Sequence, residues 1–203
     1  MHDSDWITPT TLENAHARLE PLTVDHAAEL CEAAGSIETF RYFSQIPTTW
    51  DEPGFVRYIE HLHGPANTVP FCVVDKASGR RVGITTYLCV MPSNRSVEIG
   101  WTWLGPEVRG TKINPSMKRL MLAHAFEDRG AIRVQLRTDI RNNHSRGAIL
   151  KLGARYEGIH RQDKIVHDGY RRSSVFYSIL EDEWPRVRDG LDARIYAQVN
   201  AND

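Results

Sequence analysis

Cysteine is scarce in this chain and badly spaced for structural work. Cys31, Cys72 and Cys89 are odd in number, scattered, and form no CxxC pair, so they suggest neither a disulfide framework nor a zinc site. Long apolar runs are missing as well: no stretch approaches the ~18 residues that a membrane helix needs. The N-terminus, MHDSDWITPT, has no basic segment and no apolar run, so it does not read as a secretory signal. Nor is there an excess of either charge. The formal net charge is −1, and no global field draws the chain to nucleic acid or to a lipid surface. Internal repeats and low-complexity linkers are absent. What remains is ordinary: 41% apolar and 25% charged residues in 203 positions, enough for one well-cored domain and little for two. The expected class is a cytoplasmic globular protein.

Periodicity supplies the elements. Ala15 to Leu22 reads as a first strand, Thr23 to Ala34 as a helix with Ala27 and Leu30 inward, and Trp50 to Leu62 as a second helix carrying Phe55, Ile59 and Leu62. Three strand-like runs follow, Val69 to Asp75, Arg81 to Met91 and Arg95 to Leu104, separated by Ala77-Ser78-Gly79 and Pro92-Ser93-Asn94. In the third run simple alternation puts Val97, Ile99, Trp101 and Trp103 on one face and Glu98, Gly100, Thr102 and Leu104 on the other. A helix is then predicted with Asn114 as N-cap, Pro115 at the first helical position, Met117, Leu120, Met121 and Ala125 inward, and Gly130 as the left-handed stop. Ala131 to Asp139 alternates as a half-buried strand, Asn143 to Leu152 is a short helix ending at Gly153, and two last strands flank Asp168-Gly169. From Trp184 onward, Val187, Leu191, Ile195 and Val199 recur every four residues, the pattern of a terminal amphipathic helix. The order β-α-α-β-β-β-α-β-α-β-β-α specifies a mixed α/β or α+β domain. Its sheet is mostly antiparallel, with one central βαβ passage.

Chemistry concentrates in Trp103-Leu104-Gly105-Pro106-Glu107-Val108-Arg109-Gly110-Thr111-Lys112-Ile113-Asn114, which joins a strand to a helix start. Unpaired amides and the helix dipole favour an anion there. Gly105 and Gly110 have the GxxxxG spacing of a nucleotide-binding P-loop, but that motif continues with Lys and then Ser or Thr. Here Thr111 precedes Lys112 and Ile113 follows, which weakens the nucleotide reading.

Beyond the next strand lies Asp139-Ile140-Arg141-Asn142-Asn143-His144-Ser145-Arg146-Gly147-Ala148-Ile149-Leu150-Lys151-Leu152-Gly153-Ala154. Together the two segments resemble the GNAT superfamily of N-acetyltransferases, particularly its ribosomal-protein N-terminal (RimJ/RimL-like) branch. The first resembles that family's R-x-x-G-x-[GA] loop. The second resembles its N-x-x-S followed by K-L-G-[FA], met by Asn142, Ser145, Lys151, Leu152, Gly153 and Ala154. The likeness spans roughly residues 14–181 of a single domain, 1–203, with 182–203 as a C-terminal helix. It implies two central strands that splay apart after Leu104 and before Ala131. Acetyl-CoA would lie in the gap as co-substrate, with no metal. Trp103 and Leu104 would line its pantetheine arm, Arg109, Gly110, Thr111, Lys112, Ile113 and Asn114 would hold its pyrophosphate, and Asn142 and Arg146 would add contacts. Lys112 and Asn114 stand where the family has small residues, which keeps a non-catalytic acyl-CoA-binding sensor as a second reading.

Direct attack on a thioester needs a neutral amine, a route for its proton and an acid for the departing thiolate. Glu98, on the strand entering the loop, is the candidate base; its bland reading is a solvated carboxylate paired with Arg95. Ser145 is the candidate acid, because Ile149 fills the place where the family often has a tyrosine; its bland reading is a helix-start hydroxyl. His144 reads as a surface residue, and His61 and His63 lack a third metal ligand. Trp101, Trp103 and Tyr87 read as an amine pocket or, more simply, as core. His160, His167 and Tyr170 lie on the terminal hairpin, where the family often closes the acceptor groove. The acceptor stays open between a protein N-terminus, a small amine and an antibiotic, with no nucleic acid or membrane partner. The terminal helix either docks on its own domain or makes a homodimer contact.

Overall fold

The computed structural model describes residues 6–197. Eight strands form one sheet: β1 (Leu12–Glu13), β2 (Ala17–Pro21), β3 (Val69–Asp75), β4 (Arg81–Met91), β5 (Ser96–Leu104), β6 (Arg133–Asp139), β7 (Arg155–Ile165) and β8 (Arg171–Leu180). Five helices flank it: α1 (Ala27–Ala34), α2 (Glu52–His63), α3 (Ile113–Ala123), α4 (Asn143–Leu152) and α5 (Trp184–Tyr196). The strand order is β1-β2-β3-β4-β5-β6-β8-β7. Every neighbouring pair is antiparallel except β5–β6, the product of the β5-α3-β6 passage. The expected fold class is the observed one.

Two apolar clusters lie on opposite faces of the sheet. On one face α3, α4 and α5 cover Val97, Ile99, Val134, Leu136, Val175 and Tyr177. On the other α1 and α2 cover Cys72, Ile84 and Trp103. The terminal stripe is decided in favour of intramolecular docking. Val187, Leu191 and Ile195 are buried in the first cluster, and Trp184 stacks on Phe126 with ring centroids 5.5 Å apart. Val199 lies outside the described residues.

Three expectations are corrected. Strand β5 does not alternate cleanly to its end. Its pairing with β4 shifts between Gly100 and Trp103, and Trp101 takes a φ of +46°. This bulge flips the strand, so Trp103 joins the α1–α2 face whereas Val97 and Ile99 remain on the other. Second, α3 starts before Asn114. The Thr111 hydroxyl accepts the Ile113 amide at 3.3 Å, Lys112 takes the N-cap position without a side-chain bond, and Asn114 and Pro115 lie inside the first turn. Proline is still tolerated, since first-turn amides have no helical acceptor. Third, α3 does not run straight to Gly130. A π-turn over His124–Asp128 widens its end before Gly130 turns the chain with φ +61°. The short β1 and the 3-10 turn Val24–His26 that leads into α1 are also additions to the pattern.

Candidate functional site

The site begins where two parallel strands part. β5 and β6 pair at three positions only, Ser96–Arg133, Val97–Val134 and Glu98–Gln135. Past Glu98 the strands diverge, and a cavity of about 740 Å³ opens between them. Glu98, Trp101, Trp103, Leu104, Leu136 and Arg137 form its walls near the fork. Glu98 is only 2% exposed although charged. Arg137 Nε donates to one carboxylate oxygen at 2.7 Å and the Gln135 amide nitrogen Nε2 donates to the other at 2.9 Å. The bland reading of Glu98 as a solvated partner of Arg95 is therefore replaced. Arg95 instead gives its Nε to the Gly130 carbonyl.

At the open end, residues 105–114 wrap into α3. Gly110 adopts φ +78° and an added Cβ would meet nothing within 4 Å, so backbone conformation, not crowding, requires glycine. Among the described residues the amides of Gly110, Lys112 and Asn114 donate to no protein acceptor. Arg109, Gly110, Thr111 and Asn114 line the cavity, whereas the side chains of Lys112 and Ile113 do not. Ile113 is in the core. The Arg109 guanidinium folds back, donating to the Leu104 carbonyl at 3.1 Å and to Thr39 Oγ1 at 3.0 Å, so it braces the loop.

Helix α4 forms a further wall. Asn142 caps it by accepting the Ser145 amide at 3.0 Å, which leaves the Asn142 amide nitrogen for the cavity. Ser145, His144 and Ile149 also line the space. Arg146 does not; it turns toward the Tyr177 hydroxyl and the Ile140 carbonyl. Of the aromatic candidates, Trp101 and Trp103 face the cavity. Tyr87 is core, donating its buried hydroxyl to the Met121 carbonyl. On the hairpin, His160 packs on Phe176 at 4.0 Å between ring centroids, and Tyr170 lies under the Arg141 guanidinium at 3.4 Å. His63 bonds the Leu22 carbonyl, and no group of three metal-binding side chains occurs among the described residues.

Sequence reasoning missed Lys118. This lysine is 6% exposed, lines the cavity, and donates to Thr102 Oγ1 at 3.1 Å. Burial pulls its amine down to about 7. The signal was present: Lys118 is four residues past Asn114 and three before Met121, the same side of the helix as both. Arg137, Lys164 and Arg172 were also missed, because only the folded sheet brings β6, β7 and β8 to the same wall.

This geometry has known counterparts. The model of the acetyltransferase (GNAT) domain matches residues 16–155. The "Putative ribosomal N-acetyltransferase YdaF" of Bacillus subtilis (strain 168) is 33% identical over 173 residues, covering 82% of this chain and 90% of that protein. A GCN5-related N-acetyltransferase from Brucella melitensis superposes with a TM-score of 0.87 at 27% identity, covering 93% of this chain and 86% of the other. Mycobacterium smegmatis RimJ, solved in complex with CoA-disulfide, shares the fold with a TM-score of 0.78 at 21% identity, over 92% and 95% of the two chains. A forked parallel pair, a loop of unbonded amides and these matches lead to one conclusion: the chain belongs to the GNAT acetyltransferase family.

Proposed function

We propose that this protein transfers an acetyl group from acetyl-CoA to a primary amine by direct attack within a ternary complex. The observation that carries the reading is the fork. Past Glu98 the facing edges of β5 and β6 have lost each other as hydrogen-bonding partners, which suits an amide-bearing arm that adds to the sheet as a strand would. The free amides of Gly110, Lys112 and Asn114 suit the pyrophosphate. Trp103, Leu104 and Asn142 line the cavity where such an arm would lie, and the Asn142 amide would be a donor to it.

The amine loses its proton toward Glu98, through water, because both carboxylate oxygens already hold a side-chain donor. Ser145 gives a proton to the departing thiolate. An α-amine, with an ordinary pKa of about 8, suits so restrained a base better than a lysine amine at about 10.4. Ser145→Ala is expected to lower turnover about tenfold with little pH dependence, leaving acetyl-CoA affinity intact. Steady-state rates from pH 6 to 9 measure this, and wild-type rates would remove Ser145 from the mechanism.

Cofactor binding supplies the direct test. Acetyl-CoA at 100 times its dissociation constant is expected to stabilise the fold by about 2.7 kcal/mol. Arg109→Ala should reduce that gain, since the brace on the loop is lost. Protection by ATP with magnesium, and none by acetyl-CoA, would overturn the assignment. The second reading, a CoA-ligand sensor, is favoured by the full engagement of Glu98. Tight acetyl-CoA binding without turnover across peptide and small-amine acceptors would establish it.

A further inference from the structure

Lys164 and Arg172 stand directly opposite each other across β7 and β8. Two like charges in that relation repel and weaken a sheet. Neighbouring carboxylates act on them only at a distance, and no ion pair offsets the repulsion. Among the described residues neither forms an ion pair with a carboxylate, and Lys164 makes no side-chain hydrogen bond. Of the acids nearby, Glu98 is held by Arg137 at 2.7 Å and Asp139 by Arg141 at 2.8 Å, while the exposed Asp163 beside Lys164 forms no ion pair with either cation. Arg172 gives one nitrogen to the Tyr42 carbonyl and its Nε to Ser174 Oγ, so one terminal nitrogen stays uncommitted. Both cations are partly withdrawn from water and both line the cavity of the fork. Burial first, and then the neighbouring arginines, lower the Lys164 amine from its ordinary value.

The backbone is shaped to hold this arrangement. Between His160 and Lys164 the β7 register slips against β8: the pairs His160–Ser174 and Lys164–Arg172 span four residues on one strand and two on the other. Gln162 takes φ +49° in this bulge, pinned by its amide on Ser173 Oγ at 3.0 Å. A bulge of this kind re-aims a side chain at the edge of a site.

The face identifies the ligand. Helices α3 and α4 pack on the side of the sheet that Leu136, Val175 and Tyr177 line, and residues 110–114 lead into α3 there, while the start of the loop, 105–109, leans on α1 and Thr39. Arg137 and Arg172 alternate with those residues and project from the opposite side, with Lys164 beside Arg172. Cofactor phosphates held by Gly110, Lys112 and Asn114 are thus on the far side, and the cations face whatever enters past Tyr42 and Phe43.

We propose that Lys164 and Arg172 form an anion subsite selecting an acceptor amine that carries a carboxylate. This deepens the acetyl-transfer reading and rests on it. Such a group would accept from the unused N–H donors of Lys164 and Arg172 and relieve the charge conflict between β7 and β8.

Paired peptides test it, one with aspartate or glutamate at the second residue and the other with asparagine or glutamine. Their affinities for the CoA-bound protein are measured by calorimetry, alongside kcat/KM from acetylated product. The acidic member of each pair is expected to bind about tenfold tighter, the size of one charge-assisted hydrogen bond. Lys164→Met should bring the ratio near one, and Lys164→Glu should invert it, with acetyl-CoA affinity retained in both. Equal binding of the two peptides by the wild type, or a preference that survives Lys164→Met, overturns the subsite. Because the binding arm needs no turnover, a protein that prefers the acidic peptide yet acetylates nothing would sink acetyl transfer and leave the subsite standing.

Discussion

Replacing Lys118 with methionine is expected to make the protein more stable at neutral pH, by up to about 4 kcal/mol. The amine is buried against α3 and β5 with one hydroxyl, Thr102 Oγ1, as partner. Its pKa falls from 10.5 to about 7, and each unit of difference is worth about 1.36 kcal/mol. Unfolded chains keep this proton up to pH ~10.4. The native protein keeps it only below about 7. Between those limits the unfolded state binds the extra proton, so wild-type stability rises with pH across the window. Below it the cost is present in full, and above it the cost disappears. Lys118→Met removes the term and gives up one neutral-acceptor hydrogen bond, about 1 kcal/mol. The variant should therefore melt higher at pH 7, by about 2–4 °C per kcal/mol, with the advantage fading toward pH 10. Urea unfolding at both pH values decides it. A variant that is less stable at pH 7, or whose gain is undiminished at pH 10, would show that burial does not depress the Lys118 amine.

Glu98→Gln is expected to lower turnover about 100-fold at pH 6 and much less at pH 9, with acetyl-CoA affinity preserved. Loss of a positioned base commonly costs that much, and hydroxide and the already neutral fraction of the amine compensate as pH rises. Glutamine keeps an oxygen for Arg137 and roughly the same volume, so the fork should survive. A pH–rate profile from 6 to 9 with one good acceptor is the measurement. A loss confined to KM and constant with pH would make Glu98 a positioning residue, holding Arg137 toward the acceptor.

The residues differ in how openly they announced themselves. β3, β4 and helix α4 were legible, because each is bounded by its own local signals: near-continuous apolar runs closed by turn residues for the strands, a glycine stop for the helix. The loop 105–114 was legible by its glycines and by the helix that follows it. Asn114 as N-cap was not, since Thr111 takes the role through a hydroxyl that sequence alone ranks no higher. The faces of β5 were misread at Trp103 because period-two reasoning carries no information about a bulge. Two residues that β4 leaves unmatched between Gly100 and Trp103 reverse the strand's exposure.

Local pattern determined the elements, their order and the single parallel crossover, since helix and strand periods and caps act over a few residues. It also determined the loop of free amides, which follows from placing glycine-containing turns before a helix start. Tertiary structure alone decided which charges are paired. Glu98 meets Gln135 and Arg137 across 37 and 39 residues of chain. Lys118 reaches Thr102 only because the bulge turns that hydroxyl toward α3. Lys164 faces Arg172 because β7 and β8 register around a second bulge. Burial and Coulomb coupling depend on distance through space, and a sequence records only distance along the chain.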